Sequence, residues 1–193
     1  LEANGMGDGI ALNDSVFTSN ISSVTNLNVV GKSIADLTGI EDFAALENLD
    51  CAYNQLTNIN LTSCTSLKYL YCLYNQLTSL NLTGCTSLQT LLCDNNQIDS
   101  LDVSGFTALT SFDFMSNPLI SFDVSGCSAL TGSLDFTFTN NLSNLQVSGC
   151  SGITEIYCFS NQLSSLDLTG CTSLLNLDCA YNQLTSLNLT NCT

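Results

Sequence analysis

The sequence predicts a mainly β molecule: a solenoid of about eight coils with two parallel sheets, one along each side, and an N-terminal cap. Three observations predict it. A segment of fixed pattern returns every 21 residues. Within each unit two short stretches alternate apolar and polar residues with period 2, as strands do. No part of the repeat carries the spacing of an amphipathic helix. One such coil cannot bury its own apolar edge, so neighbours must stack. Strands ~4.8 Å apart make eight coils roughly 35–40 Å long.

The elements follow in order. Residues 1–20 lie outside the repeat and read as the cap segment. Leu1-Glu2-Ala3-Asn4-Gly5 has the look of a helix end stopped by Gly5. Gly5-Met6-Gly7-Asp8-Gly9 lacks the Lys of a phosphate loop and the flanking strand of a dinucleotide site, and reads as a cap loop. The solenoid occupies residues 21–193, its first repeat longer and its last incomplete. Its primary strands centre on Leu27, Leu49, Leu70, Leu91, Phe112, Leu134, Ile156 and Leu177. Leu49-Asp50-Cys51-Ala52-Tyr53-Asn54-Gln55-Leu56 returns as Leu70 to Leu77 and as Leu91 to Ile98; Phe112 to Leu119 keeps the step without the Cys. A second column runs Cys64, Cys85, Phe106, Cys127, Cys150, Cys171, Cys192, with two extra residues between Cys127 and Cys150. Six of the nine Phe cluster at 106–138, so a bulge is expected near 130–142. The chain stops in mid-repeat at Thr193, from which continuation into further repeats or another domain is expected. It opens without Met, which reads as a processed product.

The unit L-x-x-L-x-C-x-x-N-Q-L-x-x-L-x-L-x-x-C-x-x contains L-x-x-L-x-L-x-x-N-x-L, which resembles the leucine-rich repeat. The 21-residue length, with a second half echoing the first (Leu77 to Cys85), resembles the short IRREKO type of exported Bacteroidetes proteins. The stretch Val24 to Phe43 resembles the longer internalin-like repeat that often precedes it. The resemblance covers roughly residues 21–193. It implies a secreted or cell-surface bacterial protein, often exported by the type IX route, and carries little information about the ligand.

Composition narrows the function. The chain has 17 Asp and Glu against Lys32 and Lys68 alone, no His and a net charge of −15. A nucleic-acid binder needs a basic footprint to displace counterions, and an anionic membrane surface repels so acidic a chain. General acid–base chemistry loses its commonest residue, and phosphate substrates lose their clamps. No enzyme activity and no cofactor is expected. No apolar run reaches 18 residues, so no membrane insertion is expected either.

The 11 Cys admit three readings. Packing is favoured: the strand Cys stands at an inward Leu position and behaves as a small hydrophobe, and Phe106, Phe114 or Phe136 replaces it in some coils. Disulfides are the second reading. Cys64/Cys72, Cys85/Cys93, Cys150/Cys158 and Cys171/Cys179 are each eight apart, whereas stacked Cys in one column stand too far apart to bridge. A metal site is the third, without any C-x-x-C spacing to support it. The Asn column (Asn54, Asn75, Asn96, Asn117, Asn161, Asn182) reads as structural, satisfying backbone groups of adjacent coils. Asp113 and Asp135 are expected as neighbours on adjacent coils, where Ca²⁺ or ordinary counterions would relieve their repulsion.

Outward strand positions are not dictated by packing. Tyr69, Tyr71, Leu73, Tyr74 and Leu92 are expected to form one patch, with Tyr53 at its edge and Asp94 on its acidic rim. Grouped exposed aromatics mark recognition surfaces, although Tyr also fills outward strand ladders by propensity. The reading is a non-catalytic binding or adhesion module for a protein or neutral glycan. Its alternative is a structural spacer in a larger surface protein. A remote third is ice binding through the Thr-rich second half (Thr57, Thr62, Thr78, Thr83), interrupted by Asn60, Asn81 and Asp102. Asn-x-Thr sequons such as that at Asn60, and the Asp14-Ser15-Val16 and Asp99-Ser100-Leu101 glycosylation-like triplets, are too short to carry weight.

Overall fold

The computed structural model describes residues 21–137 and 139–192. The expected cap and its loop, and Phe138, lie outside the described residues.

Each coil contributes one short strand to a primary sheet. These strands are β1 (Asn26–Asn28), β2 (Asn48–Asp50), β3 (Tyr69–Tyr71), β4 (Thr90–Leu92), β6 (Ser111–Asp113), β8 (Gly132–Asp135), β10 (Ile153–Tyr157) and β12 (Asn176–Asp178). The second half of the coil supplies β5 (Ser100–Asp102), β7 (Ser121–Asp123), β9 (Asn144–Gln146), β11 (Ser165–Asp167) and β13 (Ser186–Asn188). Asn60 and Asn81 add a single bridge ahead of β5 on that side. All pairings are parallel, and β1 to β6 of the primary sheet keep the register of the repeat, so that Leu49, Leu70, Leu91 and Phe112 stack in line. All eight strand centres stand where the periodicity places them. Beyond Ile21, the sole helical element among the described residues is a 3-10 turn at Ile40–Asp42.

The core lies between the two sheets. One residue per strand points in, as with Leu49, Leu70 and Leu91, while its neighbours face outward. The last coil is more open, with Leu187 and Leu189 exposed.

Two side-chain ladders join the coils. In the first, each Asn drops its amide beneath the turn. Asn75 Nδ2 donates to Cys72 O and Leu73 O of its own coil and to Cys51 O of the preceding one, while its Oδ1 accepts from Leu56 N–H. Asn54, Asn96, Asn117, Asn161 and Asn182 repeat the pattern. The expected structural role of the Asn column is thus met bond by bond. The second ladder is cysteine. Nine of the eleven free thiols are buried, and Cys179 and Cys192 are partly so. Cys127, Cys150 and Cys171 Sγ donate to Val103, Val124 and Val147 O, at 3.1, 3.0 and 3.2 Å. The strand column Cys51, Cys72, Cys93 packs without such a bond.

The primary sheet is divided. β1, β2, β3, β4 and β6 form one sheet, β8, β10 and β12 another, whereas β5 to β13 run unbroken on the other side. Cys93 N–H donates to Asp113 O on the next coil, and Phe136 N–H to Tyr157 O. Among the described residues no equivalent bond runs from Phe114 to Asp135. The expectation that Asp113 and Asp135 are direct strand neighbours is therefore corrected. Two causes coincide there. Phe114 and Phe136 occupy the cysteine ladder on both coils, their ring centroids 5.0 Å apart, within a group completed by Phe112 and Phe122. Rings are thicker than thiols and hold the coils open. Thr139 stands where the Asn ladder needs an amide, and among the described residues its hydroxyl reaches Phe136 O and Asn161 Oδ1. The expected bulge falls one coil later, on β10, where the register against β8 shifts between Ile153 and Glu155. The second side shows the same rule: the run from Asn60 and Asn81 does not join β5, and Phe106 replaces Cys there.

Candidate functional site

The site grows from the turn that precedes each Asn. For the amide to swing inward, the residue before it takes positive φ, a conformation uncommon outside glycine. Tyr53 and Tyr74 hold it, at φ 57° and 52°, as do Asn95, Ser116, Ser160 and Tyr181. A left-handed residue throws its side chain clear of the surface. Tyr53 and Tyr74 accordingly stack face to face, centroids 4.6 Å apart and planes 9° from parallel. They are 56% and 46% exposed.

Tyr69 and Tyr71 flank Leu70 on β3 and face out, paired in register with Asn48 and Thr90, and with Asp50 and Leu92. Both are half-buried, as are Leu73, Leu92 and Asp94. Tyr69 Oη donates to Gln89 Oε1 at 3.0 Å. The structure thus brings together the residues the sequence grouped, with one shift of emphasis. Within this patch the most exposed rings are the stacked Tyr53 and Tyr74 at the turn edge, of which the sequence placed Tyr53 at the margin. Ala52, beside Tyr53, is buried. The missed signal was the Tyr-Asn dipeptide, which places a large ring at the left-handed position before the Asn clamp. The same signal marks Tyr181, 79% exposed and in edge contact with Phe159 at 5.1 Å.

The aspartate columns have a local explanation. Asp50, Asp113, Asp135 and Asp178 Oδ1 accept the backbone N–H two residues on. Asp102, Asp123 and Asp167 do so in the second half, and Asn60 and Asn81 likewise. Hydrogen bonds from Thr169, side chain then backbone, hold the Asp167 carboxyl below its usual range. The hydroxyls of Thr62, Thr169 and Thr190 are turned into these same turns. Among the described residues no group of His, Cys, Asp and Glu is arranged to hold a metal. Burial, with neighbouring negative groups second, pushes the strand thiols up, Cys51 and Cys158 to about 12. Such thiols stay protonated and unreactive at neutral pH.

A family model of the leucine-rich-repeat domain of the endo-β-N-acetylglucosaminidase EndoS matches residues 16–117, more than half of the chain. The chain belongs to this leucine-rich-repeat family. Among solved structures, the functional domain of InlJ from Listeria monocytogenes, described as including a cysteine ladder, is 34% identical with a TM-score of 0.72. That alignment covers 93% of this chain and 40% of the InlJ chain, so the repeat domain spans less than half of that relative. The internalin inlF of the same species aligns over 96% of this chain and 94% of its own, at 18% identity and a TM-score of 0.47. The leucine-rich-repeat protein LIC12759 of Leptospira interrogans is 21% identical, with a TM-score of 0.52, covering 90% of this chain and 56% of that one. Among curated proteins none matches. Leucine-rich-repeat solenoids typically serve as protein–protein interaction modules, and among the described residues no helix is long and apolar enough to cross a membrane.

Proposed function

We propose that this leucine-rich-repeat chain is a non-catalytic binding or adhesion module of an exported bacterial protein. It recognises a protein or neutral glycan through the turn edge and outer face of coils two to four. The observation that carries this reading is the exposed Tyr53–Tyr74 stack. Two large rings are held clear of the core on backbone positions that are costly for non-glycine residues. Packing gives no reason for them, since Asn95, Ser116 and Ser160 fill the same position in other coils. Tyr69, Tyr71, Leu73 and Leu92 extend the platform across the sheet, and Asp50 and Asp94 rim it. Tyr offers a broad apolar face and a hydroxyl at low entropic cost, which suits either ligand. The acidic rim steers toward neutral or basic partners and away from anionic polymers. Location at the cell surface or in the medium, with type IX export as one route, belongs to this reading.

The test is a screen of neutral polysaccharides and of surface proteins against the intact chain. Hits should weaken by about 1–3 kcal/mol each on Tyr71→Ala and Tyr74→Ala, with folding little changed. Binding that ignores both substitutions sinks the platform. A second reading, a spacer within a larger protein, draws on the origin of the matching family model in one domain of an enzyme. It gains if no hit depends on any outward residue.

A further inference from the structure

The interruption between β6 and β8 leaves a cleft at the surface of coils five and six. Two adjoining hollows of about 330 and 290 Å³ share Phe114, Met115 and Asp135. Phe112, partly exposed, and the buried Phe114 give it aromatic lining, and Asp113, Asp135, Ser133 and Met115 complete the first hollow. Met115 is 47% exposed. Asp113 Oδ1 accepts the Met115 N–H, Asp135 Oδ1 accepts both the N–H and the hydroxyl of Thr137, and among the described residues neither carboxylate accepts a hydrogen bond on Oδ2. The Asp135 carbonyl lacks the N–H that its counterpart Asp113 receives from the preceding coil. No cation lines the cleft: of the two lysines in the chain, Lys68 pairs with Glu47 at 2.9 Å on earlier coils.

We propose that this cleft receives an arginine side chain presented by a basic protein partner. A guanidinium is planar and stacks on aromatic faces, and its rigid fork of N–H donors matches a carboxylate bidentately and leaves donors for a second. Here Phe112 and two aspartates line one hollow, and no cation is among its lining residues. The site shares no residue with the tyrosine platform, so either can fail without the other. The net charge of −15 brings such a partner in faster, but it acts over the whole surface, whereas the cleft is local.

The probe is the peptide N-acetyl-Ser-Arg-Ser-amide, with its citrulline analogue as the neutral isostere, titrated into ¹⁵N-labelled protein. Saturable shifts should centre on the amides of Phe114, Met115, Ser133 and Thr139, and citrulline should bind at least about five-fold more weakly. Asp113→Asn with Asp135→Asn should weaken the arginine peptide by a similar factor. Folding should survive, because Asn60 and Asn81 accept the same turn bond. Ser133→Lys, at an exposed position, should block the cleft from within and provides a second variant independent of the turns. Equal binding of the citrulline peptide, shifts spread evenly over the aspartate-bearing turns, or indifference to both variants would overturn the proposal.

Discussion

Asn75 closes four hydrogen bonds in a position 9% exposed, and no other side chain type serves donors and acceptor together there. Asn75→Ala should cost about 2–4 kcal/mol, read from the urea midpoint, because buried carbonyls and an N–H lose their partner. The two cysteine columns should part company under substitution. Cys150 donates to Val124 O, so a serine hydroxyl inherits that acceptor, whereas Cys72 makes no such bond and its serine would bury an unpaired hydroxyl. Cys72→Ser should therefore lose about 1–3 kcal/mol and Cys150→Ser clearly less, measured side by side. The inward role of Asn and Cys was legible from their place in the repeat. That one thiol column donates to carbonyls of the preceding coil and the other does not was hidden, because it depends on how each turn presents its carbonyls.

At the scale of the coil, bulky residues in a thiol ladder set where the sheets part. Phe106, Phe114 and Phe136 were visible in the sequence as exceptions, and Thr139 as a gap in the Asn column. Reading them as a single bulge missed that lost stitches between coils divide a sheet. The strand centres, by contrast, were fully legible, since a period of 21 residues leaves one register that turns the strand-centre leucines inward. Gly152 marks the tightest approach. A Cβ there would stand 2.5 Å from Leu130 O, against backbone that cannot swing aside. Gly152→Ala should destabilise by about 1–3 kcal/mol and shift the amide resonances of β8 and β10 before those of β2 and β3.

For the whole molecule, stability should depend on alkaline pH through the buried thiols. Their folded values lie above the ordinary thiol value of 9.0, with Cys64 and Cys171 raised to about 11 and Cys150 to about 12. The folded state thus keeps protons that the unfolded chain releases. The stability this provides is complete below the unfolded thiol range and is lost as pH rises through about 11–12. Urea midpoints should be level from neutral pH to about 9 and fall above it. The solenoid and its non-basic character were written in the repeat and the charge count. The site was legible as a group of tyrosines but not in its emphasis, because the left-handed turn that exposes Tyr53 and Tyr74 follows from the Asn clamp rather than from strand alternation. Those two rings carry the central claim, and glycine is the substitution that isolates them, since it suits their positive φ and removes only the platform. The decisive measurement is calorimetric titration of the strongest protein or glycan hit into the parent and into Tyr53→Gly with Tyr74→Gly. The account predicts at least about a ten-fold loss of affinity at an unchanged or slightly higher unfolding midpoint. Parent-like affinity in the folded double variant would contradict it.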